Sequence, residues 1–544
     1  MRKMPFYLLL LLGAVLVQPV NAQKQLTINT AQPKQTIDGF GGSIAYYENW
    51  LVAHPKRSMI YDCLFKDLGL SIFRIKNNYY NEGAFNQGIA DLKSIVVEGR
   101  KRSSFDIMIS SWSPPGKYKS NGKPANDETM ASLATDANGN FVYGDFAKWW
   151  YNSLLSYKTN GIDAKYISLQ NEPNWGPGYE GCVFMPQEQT VYDKKLAKNV
   201  KIASYAKAFN AVYDTLAKYN ANLKIAPKMI GPEVLGIENA WSGKPSDYTK
   251  YMDMSKCYAV AHHLYTGVDP ATMLGNFAGL NNTYPNKPKM QTEYSDKEWF
   301  TLSQIIQSSL VVENVSAYLV WDLFWPGSDF LDLENPWTSG SWVNPNGFKA
   351  GTKFYAFKQF ASFIKPGWIR VTTSNPSATI KPSAFMSPEG QSMSIVVINT
   401  GSTLDSISIA SSAFAVSSGK IYRTSDTEKC VLVGNYSGGT IKLPVKSITT
   451  ITLQGQLTSA EMKKLPESEP MVYPNPFNQE TLLNLKDFPR EAQIAIYNLS
   501  GQILYQEKVQ NSNSVKIGSE LSQGVYILKV TDGGKQKTIK IIKQ

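Results

Sequence analysis

Two hydrophobic patterns divide the chain. Between about residue 70 and residue 365, short β-rich apolar runs alternate with longer segments, such as 191–219 and 301–313, whose apolar residues recur every three or four positions. The runs are typical of buried strands and the longer segments of amphipathic helices. The predicted strands are residues 39–43, 71–75, 105–111, 165–171, 223–229, 257–265, 287–293 and 316–321.

Eight strand–helix units in about 330 residues have the size of a (β/α)8 barrel. The alternative, an open doubly wound sheet, would need a glycine-rich first turn for a nucleotide, and the chain has none. The sequence therefore predicts an α/β fold with a (β/α)8 TIM barrel over residues 37–366.

The pattern changes after Pro366, where alternating apolar and polar residues form short runs separated by turn residues. This spacing predicts a side β-sandwich over residues 367–456, and we expect segment 23–36 to add a strand to it. The polar stretch over residues 457–470 is predicted to be a linker. Residues 471–544 are predicted to form a small all-β domain.

The N-terminus carries Arg2 and Lys3, then an apolar stretch over residues 6–17 and small residues up to Ala22. This is the pattern of a signal peptide, here residues 1–22. No later run of about 18 apolar residues occurs, so we expect an exported chain with no membrane span.

Composition narrows the classes of function. The chain of 544 residues is 43% hydrophobic and 18% charged, as in globular proteins, and its net charge is +11. That excess could suit an acidic partner, but no basic block with interleaved aromatic residues supports nucleic-acid binding. With three His, four Cys and no zinc or nucleotide motif, we expect no metal and no cofactor. The Cys spacing selects no disulfide pairing, although the apolar surroundings of Cys63 and Cys257 favour free thiols.

Two glutamates end predicted strands. Glu172 follows the fourth strand and Glu293 ends the seventh, so both are expected at the carboxyl end of the barrel, facing each other across its mouth. A lone strand-end Glu more often caps a helix or pairs with Lys. Two facing carboxyl groups, however, are what glycoside hydrolysis needs.

Several motifs together resemble glycoside hydrolase family 30, particularly its glucuronoxylanase-like members, over about residues 25–455. The motifs are Gly-Phe-Gly-Gly-Ser at 39–43, Ser-Leu-Gln-Asn-Glu-Pro-Asn at 168–174, His-Leu-Tyr at 263–265, Gln-Thr-Glu-Tyr at 291–294, Trp321 and Phe-Ile-Lys-Pro-Gly at 363–367. The resemblance implies a retaining mechanism with Glu172 as acid/base and Glu293 as nucleophile. It also implies that Asn171 binds the sugar 2-hydroxyl.

Further residues at strand ends could serve the same cleft. Arg74 could hold Glu293 ionised, although it could equally be a surface residue. Tyr265 could offer its hydroxyl to Glu293, and His262 or His263 could line the cleft. Aromatic residues that could stack on sugar faces are Trp112, Tyr294, Trp321 and, as the weaker candidate, Trp175.

The C-terminal domain has its own resemblance. Its segments Tyr-Pro-Asn-Pro-Phe at 473–477, Ile-Tyr-Asn-Leu-Ser-Gly at 496–501 and Leu-Ser-Gln-Gly-Val-Tyr at 521–526 resemble the sorting domain of the type IX secretion system. The resemblance implies contact with that machinery and a secreted or surface-attached protein. A carbohydrate-binding sandwich is the alternative, and the lack of Trp after residue 470 disfavours it.

These observations predict a monomeric retaining endo-glycosidase that acts on a β-linked plant polysaccharide, most of all xylan. The stretch from Asp322 to Phe348 holds four acidic and no basic residues, so we expect no dependence on glucuronate branches. Its aromatic residues, namely Phe324, Trp325, Phe330, Trp337 and Trp342, suit uncharged sugar faces. β-1,6-Glucan and β-1,6-galactan are alternative substrates, and a non-catalytic carbohydrate-binding surface protein is the alternative of another class.

Overall fold

The structure, a computed structural model, describes residues 24–80, 86–220, 226–238, 243–334, 342–344, 346–411, 413–457, 472–473, 475–485, 488, 491–510, 512, 514–532 and 536–544. The predicted signal peptide and nearly all of the predicted linker lie outside these residues. The chain divides into two compact units, residues 1–458 and 459–544.

The strands of the first unit are numbered in chain order as follows: β1 (Gln25–Thr36), β2 (Gly39–Ser43), β3 (Ile72–Lys76), β4 (Asp106–Ser110), β5 (Ala164–Ser168), β6 (Phe184–Met185), β7 (Gln189–Asp193), β8 (Lys198–Ser204), β9 (Lys228–Val234), β10 (Ala259–His263), β11 (Lys289–Glu293), β12 (Ala317–Val320), β13 (Leu331–Leu333), β14 (Phe348–Ala350), β15 (Ile369–Thr373), β16 (Ile380–Met386), β17 (Ser392–Asn399), β18 (Asp405–Ala410), β19 (Phe414–Thr424), β20 (Val431–Tyr436), β21 (Thr440–Leu443) and β22 (Ser447–Leu457).

The α-helices of this unit are α1 (Glu48–Ala53), α2 (Arg57–Tyr61), α3 (Gln87–Arg100), α4 (Tyr143–Thr159), α5 (Tyr205–Lys218), α6 (Pro245–Thr249), α7 (Met273–Thr283), α8 (Trp299–Ser308) and α9 (Thr352–Ala361). π-Helical turns continue α2 over Asp62–Asp67 and α8 over Ser309–Glu313, and a 3₁₀ turn covers Gly116–Tyr118.

Within the described residues, β2, β3, β4, β5, β9, β10, β11 and β12 close into a barrel in which neighbouring strands run parallel. Strands β2 and β3 approach so closely that a Cβ at Gly41 would lie 1.7 Å from the carbonyl oxygen of Ile72. The barrel interior is filled by apolar side chains from successive strands, among them Ile72, Met108, Tyr166, Ile230, Ala261, Met290 and Leu319. The predicted fold class is therefore confirmed.

Two local predictions were wrong. The fifth barrel strand is Lys228–Val234, about five residues later than residues 223–229. Segment 191–219 is not one helix, because β7 and β8 pair as an antiparallel hairpin and α5 begins only at Tyr205. Asp193 makes the hairpin turn by accepting hydrogen bonds from the backbone of Lys195 and Leu196.

The side domain is a nine-stranded sheet in the order β20–β19–β22–β17–β16–β15–β1–β18–β21. Strand β1 joins its two parts, pairing antiparallel with β15 and parallel with β18. The sheet folds back on itself as a sandwich, since Tyr436 of edge strand β20 interacts with the backbone of Ile409 in β18. Helix α9 attaches the barrel to this domain through a hydrogen bond of 2.8 Å from Gln359 to Thr424.

The second unit is all-β, as predicted. Its strands are β23 (Val472–Tyr473), β24 (Thr481–Asn484), β25 (Glu491–Tyr497), β26 (Ile503–Gln510), β27 (Ser514–Ile517), β28 (Gly524–Thr531) and β29 (Gln536–Lys543). They form a three-stranded sheet, β23–β24–β27, and a four-stranded sheet, β26–β25–β28–β29. Leu483, Ile494 and Leu528 belong to the apolar core of this unit.

All four cysteines, Cys63, Cys182, Cys257 and Cys430, are free thiols. In the part of the chain that the structure describes, no helix is both long enough and apolar enough to cross a membrane.

Candidate active site

The carboxyl ends of the barrel strands meet at one end of the barrel, and the predicted site residues gather there. His263 and Glu293 are the last residues of β10 and β11, and Arg74 lies in β3. All three side chains are buried. The parallel closure of the barrel therefore brings together groups that are far apart in sequence.

Glu172 reaches the same place from a loop. Strand β5 ends at Ser168, so the predicted strand, residues 165–171, was three residues too long. The backbone of Glu172 is left-handed, with φ of 46°, and its N–H donates to the carbonyl of Glu233 at 3.1 Å. Asn171 is held in the same way by Ser111, at 2.7 Å. These two backbone bonds fix the loop to β9 and to the end of β4.

Arg74 is the centre of the cluster. It is fully buried, and its Nη1 donates to Glu293 Oε2 at 2.6 Å. Its Nη2 donates to Asn171 Oδ1 at 2.7 Å and lies 3.1 Å from Glu233 Oε1. The Nε atom donates to Ser110 Oγ at 3.1 Å. One guanidinium thus orients the nearby carboxylates, because its five N–H donors lie in one plane and can bond several acceptors at once.

Glu172 and Glu293 face each other across a short gap. The hydroxyl of Tyr265 donates to Glu293 Oε1 at 2.9 Å, and His263 Nδ1 lies 2.9 Å from Glu172 Oε1. One carboxylate oxygen of Glu172, one of Glu293 and a ring nitrogen of His263 all lie within 4.8 Å of one another. Such a group could also hold a cation, but these atoms already bond to one another or to Arg74 and Tyr265.

The two carboxyl groups have different surroundings. Burial raises the pKa of Glu172 above its usual value, outweighing the hydrogen bond with His263 that acts in the opposite direction. Glu293 Oε2 accepts a hydrogen bond of 2.6 Å from the positively charged guanidinium of Arg74. The arrangement therefore suits Glu172 to carry a proton, while Glu293 lies against a fixed positive charge.

The two neighbouring histidines point to opposite sides of β10. His263 faces the carboxylates, whereas His262 lies outside this cluster and pairs with Glu313 at 2.7 Å. Burial alone would lower the pKa of His263, but the charge of Glu293 and the bond with Glu172 raise it to about 9.

Sequence reasoning missed Glu233, which lies in β9 and is completely buried beside Arg74. Burial opposes its ionisation, but the charge of Arg74, the interactions with His263 and a bond from Ser168 together outweigh burial and bring the pKa of Glu233 to about 2. Its signal was weak, because Gly231 and Pro232 interrupt the apolar residues that precede Glu233 in the sequence. The misplaced fifth strand hid it. Tyr179 was also missed. Its pKa is raised above its usual value first by burial and then by the charges of Glu172 and Glu293, although 51% of the residue surface is exposed.

Aromatic residues form one wall of this site. The Arg74 guanidinium lies 4.6 Å from the ring centroid of Trp112, and the ring of Trp321 is 5.8 Å from that of Trp112. Trp321 is half-buried and so presents part of its ring to the cleft. Tyr294 is buried behind Tyr265, with ring centroids 5.6 Å apart, and Trp175 is half-buried in the loop after Glu172.

The aromatic residues of the loop after β12 were predicted to contact sugar faces, but at least two of them do not. Phe324 and Phe330 are buried, and Phe330 packs against Phe354 and Phe357, so these two rings cannot meet a sugar. The remaining aromatic residues of the loop have other positions: Trp325 packs on Tyr47, Trp342 stacks on His54, and Trp337 lies outside the described residues.

A basic side chain does reach this loop from α9. Lys353 Nζ donates to the carbonyl of Ser295 at 2.9 Å and lies 3.6 Å from Asp329 Oδ2. Burial raises the pKa of nearby Asp322 to about 6, although the bond from Ser328 and the charge of Lys353 lower it. Lys353 is therefore already engaged by a carbonyl and by acidic neighbours.

Comparison with known proteins gives two groups of relatives. Residues 471–544 match the secretion system C-terminal sorting domain. Glucuronoxylanase XynC of Bacillus subtilis (strain 168) is 24% identical over 405 residues, 71% of this chain and 80% of that protein. Endo-1,6-beta-D-glucanase neg1 of Aspergillus fumigatus is 23% identical over 339 residues, 58% of this chain and 63% of that protein.

Among solved structures, the glycoside hydrolase family 30 subfamily 8 xylanase Xyn30A from Clostridium acetobutylicum has a similar fold. Its TM-score is 0.58 at 24% identity, covering 79% of this chain and 100% of that chain. These relatives confirm the resemblance to family 30 and the class of enzyme, a glycoside hydrolase. The C-terminal match confirms the sorting domain and, with it, the predicted export to the cell surface or the medium.

Proposed function

We propose that this protein is a retaining endo-glycosidase that cleaves β-linked xylan outside the cell, with Glu293 as nucleophile and Glu172 as acid/base. The observation that carries the proposal is the pair of buried carboxyl groups, one hydrogen-bonded to the guanidinium of Arg74 and one with a raised pKa. A pair with opposed protonation states is the arrangement that glycoside hydrolysis requires.

The separation of the two groups supports retention of configuration. Carboxyl groups in retaining enzymes lie about 5–5.5 Å apart, whereas inverting enzymes leave about 6.5–9.5 Å for a water molecule. Oxygens of Glu172 and Glu293 lie within 4.8 Å of each other. This distance favours direct attack by Glu293 on the anomeric carbon.

The reaction then has two steps. Glu293 attacks the anomeric carbon while Glu172 gives its proton to the leaving glycosidic oxygen, which forms a covalent glycosyl–enzyme. In the second step Glu172 takes a proton from water, and the water oxygen displaces Glu293. Arg74 and Tyr265 hold the two Glu293 oxygens through both steps.

The side chains of the site that take no part in the two reaction steps could contact the substrate. The Oδ1 atom of Asn171 is bonded to Arg74, which leaves its amide Nδ2 for a sugar 2-hydroxyl. Trp321, which is half-buried, offers ring area for a sugar face, whereas Trp112 is buried against Arg74 and Trp321. Export and the glucuronoxylanase relative support xylan as the polymer. We further propose that residues 1–22 are removed on export and that residues 457–470 link the sorting domain to the rest.

The roles of the two glutamates can be tested by mutation. Glu293→Ala should abolish turnover of every substrate, because no nucleophile remains. Glu172→Ala should retain turnover of aryl glycosides with good leaving groups, since these need no proton, and azide should rescue it. Equal loss in both variants on such an aryl glycoside would contradict the assignment.

The dependence on branches can be tested with native and uronate-stripped glucuronoxylan at equal backbone concentration. Because Lys353 is engaged and the loop after β12 is acidic, we expect similar rates on both polymers. An enzyme that needs the uronate would lose roughly 2–5 kcal/mol of transition-state stabilisation on the stripped polymer. A much faster rate on native glucuronoxylan would therefore contradict independence from branches.

A β-1,6-glucan or β-1,6-galactan is the second substrate class, and the Aspergillus relative favours the glucan. The same carboxylate pair would serve these polymers, so only product analysis over a panel of xylan, β-1,6-glucan and β-1,6-galactan separates them. A non-catalytic surface protein would hydrolyse none of them, and the presence of both carboxylates argues against that reading.

A further inference from the structure

Glu233 is a third buried carboxylate that the proposed mechanism does not use. It contacts groups from three other strands of the barrel: Arg74 Nη2 in β3 at 3.1 Å, Ser110 Oγ in β4 at 3.3 Å and His263 Nε2 in β10 at 3.8 Å. Its backbone is left-handed, with φ of 60°. Burying an ion and holding a strained backbone are both costly, and such features are retained where the surrounding structure or the function requires them.

His263 stands between Glu233 and the acid/base. Its Nδ1 is 2.9 Å from Glu172 Oε1, while Nε2 on the opposite side of the ring faces Glu233 Oε1. Among the described residues, His263 Nε2 and Glu233 Oε2 have no hydrogen-bond partner. The three side chains thus form the series Glu172–His263–Glu233, in which a buried carboxylate lies behind the imidazole that contacts the catalytic group.

We propose that Glu233 is a positioning residue whose negative charge keeps one proton on the Glu172–His263 pair, so that Glu172 is loaded for transfer to the leaving oxygen. The inference rests on the proposed role of Glu172 as acid/base. The pair shares this proton, either as neutral His263 with protonated Glu172 or as imidazolium with carboxylate, and both forms have the same net charge. The first step of hydrolysis removes the proton from the pair, and the water of the second step returns it.

The charges around Glu233 are consistent with this role. Arg74 supplies one positive charge to two anions, Glu233 and Glu293, so with Glu172 also ionised the cluster would carry two excess negative charges, and a proton on the pair reduces this excess to one. Besides these groups, the polar neighbours of Glu233 are Ser110 of β4, Ser168 of β5 and the Tyr205 side chain of α5, and all three are neutral. The pKa of His263, raised to about 9 by Glu293, Glu172 and Glu233, agrees with a retained proton.

The test compares Glu233→Gln with Glu313→Gln. Glu313 is also completely buried and also contacts a histidine of β10, His262, but it lies outside the catalytic cluster. In Glu233→Gln, Arg74 keeps Glu293 as its partner, so we expect the variant to fold. Melting temperatures of both variants and the parent protein check this.

The first readout does not need activity. The chain has only three histidines, so selective ¹⁵N-histidine labelling gives a spectrum in which each can be titrated. Glu233→Gln should lower the titration midpoint of His263 by about one pH unit or more, whereas Glu313→Gln should leave the midpoint of His263 in place. An unchanged His263 midpoint in Glu233→Gln would overturn the proposal.

The second readout is the pH profile of kcat/KM on two aryl xylosides. With a phenyl leaving group, which needs the proton, the alkaline limb should move to lower pH in Glu233→Gln but not in Glu313→Gln. With a dinitrophenyl leaving group the limb should stay in place. A loss by the same factor at every pH and with both leaving groups would show a merely structural role and overturn the proposal.

Failure of the proposed function would look different. If the parent protein hydrolyses no substrate of the panel, the function is wrong, while the histidine spectra still decide whether Glu233 holds the proton. If Glu233→Gln does not fold, the titration of His263 in the histidine spectrum of the parent protein tests the proposal instead. A His263 that loses its proton near the ordinary value of about 6.5 would overturn the proposal, and one that keeps it to distinctly higher pH would support it.

Discussion

The two ends of the barrel hold carboxylates in opposite ways: those at the carboxyl end are buried, whereas the carboxylate at the amino end is half-buried. At the carboxyl end, Glu172, Glu233 and Glu293 gather around Arg74 and His263, and polar atoms of Glu233 and His263 have no hydrogen-bond partner among the described residues. At the amino end, Asp38 accepts hydrogen bonds from Tyr166 at 2.8 Å and from Tyr258 at 2.9 Å. One end is a cluster of ions, and the other is a carboxylate with neutral donors.

This difference indicates that the carboxyl end of the barrel serves function and that the amino end serves stability. The charges at the carboxyl end are balanced mainly against one another and lie where a substrate can enter, so their arrangement serves chemistry. The bonds at the amino end close the barrel floor and leave both tyrosine hydroxyls satisfied. Substitutions at the carboxyl end should therefore change activity, and those at the amino end should change the free energy of unfolding alone.

The largest effect is expected at Arg74, where activity and stability depend on the same group. Arg74→Ala should lower kcat/KM by roughly 10²–10³-fold, because Glu293 and Asn171 lose their common donor. It should also cost about 3–5 kcal/mol of unfolding free energy, since Glu233 would be left as an unpaired buried charge. Kinetics and urea unfolding measure both. A fully active Arg74→Ala would contradict the role of this end of the barrel.

The next effect tests the amino end. Asp38→Ala removes the acceptor of two tyrosine hydroxyls and should cost about 1–3 kcal/mol of unfolding free energy. The kcat/KM of the variant should equal that of the parent protein below the melting range. Tyr258→Phe, which removes one of the two donors, is the matched control and should cost less. If Asp38→Ala impairs kcat/KM at low temperature, the two ends are not separable.

A smaller effect is the dependence of stability on pH. The folded pKa of His263, about 9, lies above its unfolded value, so the proton on His263 stabilises the fold fully below about pH 6.5. That contribution is lost as the pH rises through about 9. The free energy of unfolding should therefore fall over this window, and His263→Asn should flatten the fall. An equally steep fall in His263→Asn would assign it to other groups.

The smallest effect is expected for the second unit, which has an apolar core of its own. Removal of residues 471–544 should leave kcat/KM and the melting temperature of the barrel nearly unchanged, while secretion in the native host fails. Activity assays and calorimetry of the shortened protein check this. Loss of polysaccharide affinity on removal would instead make the unit a binding domain.

Hydrophobic patterning alone predicted most of the barrel, because alternation and helical period are local properties that each segment carries by itself. Seven of the eight strands lie close to their predicted positions, and the ends of those strands led to Arg74, Glu172 and Glu293. Strand β9 was misplaced because Gly231 and Pro232 interrupt its apolar run, and this error concealed Glu233.

Only the tertiary structure decided how these residues act on one another. Alternation places His262 and His263 on opposite faces of β10, but closure of the barrel determines that His263 meets the carboxylates and His262 meets Glu313. Packing likewise buried Phe324 and Phe330, which the sequence could only mark as aromatic. The pKa values of Glu172, Glu233 and His263 depend on burial and on charges brought from distant strands. The sequence therefore determined which groups lie at the barrel mouth, and the fold decided which of them carries a proton, because only proximity and burial set that equilibrium.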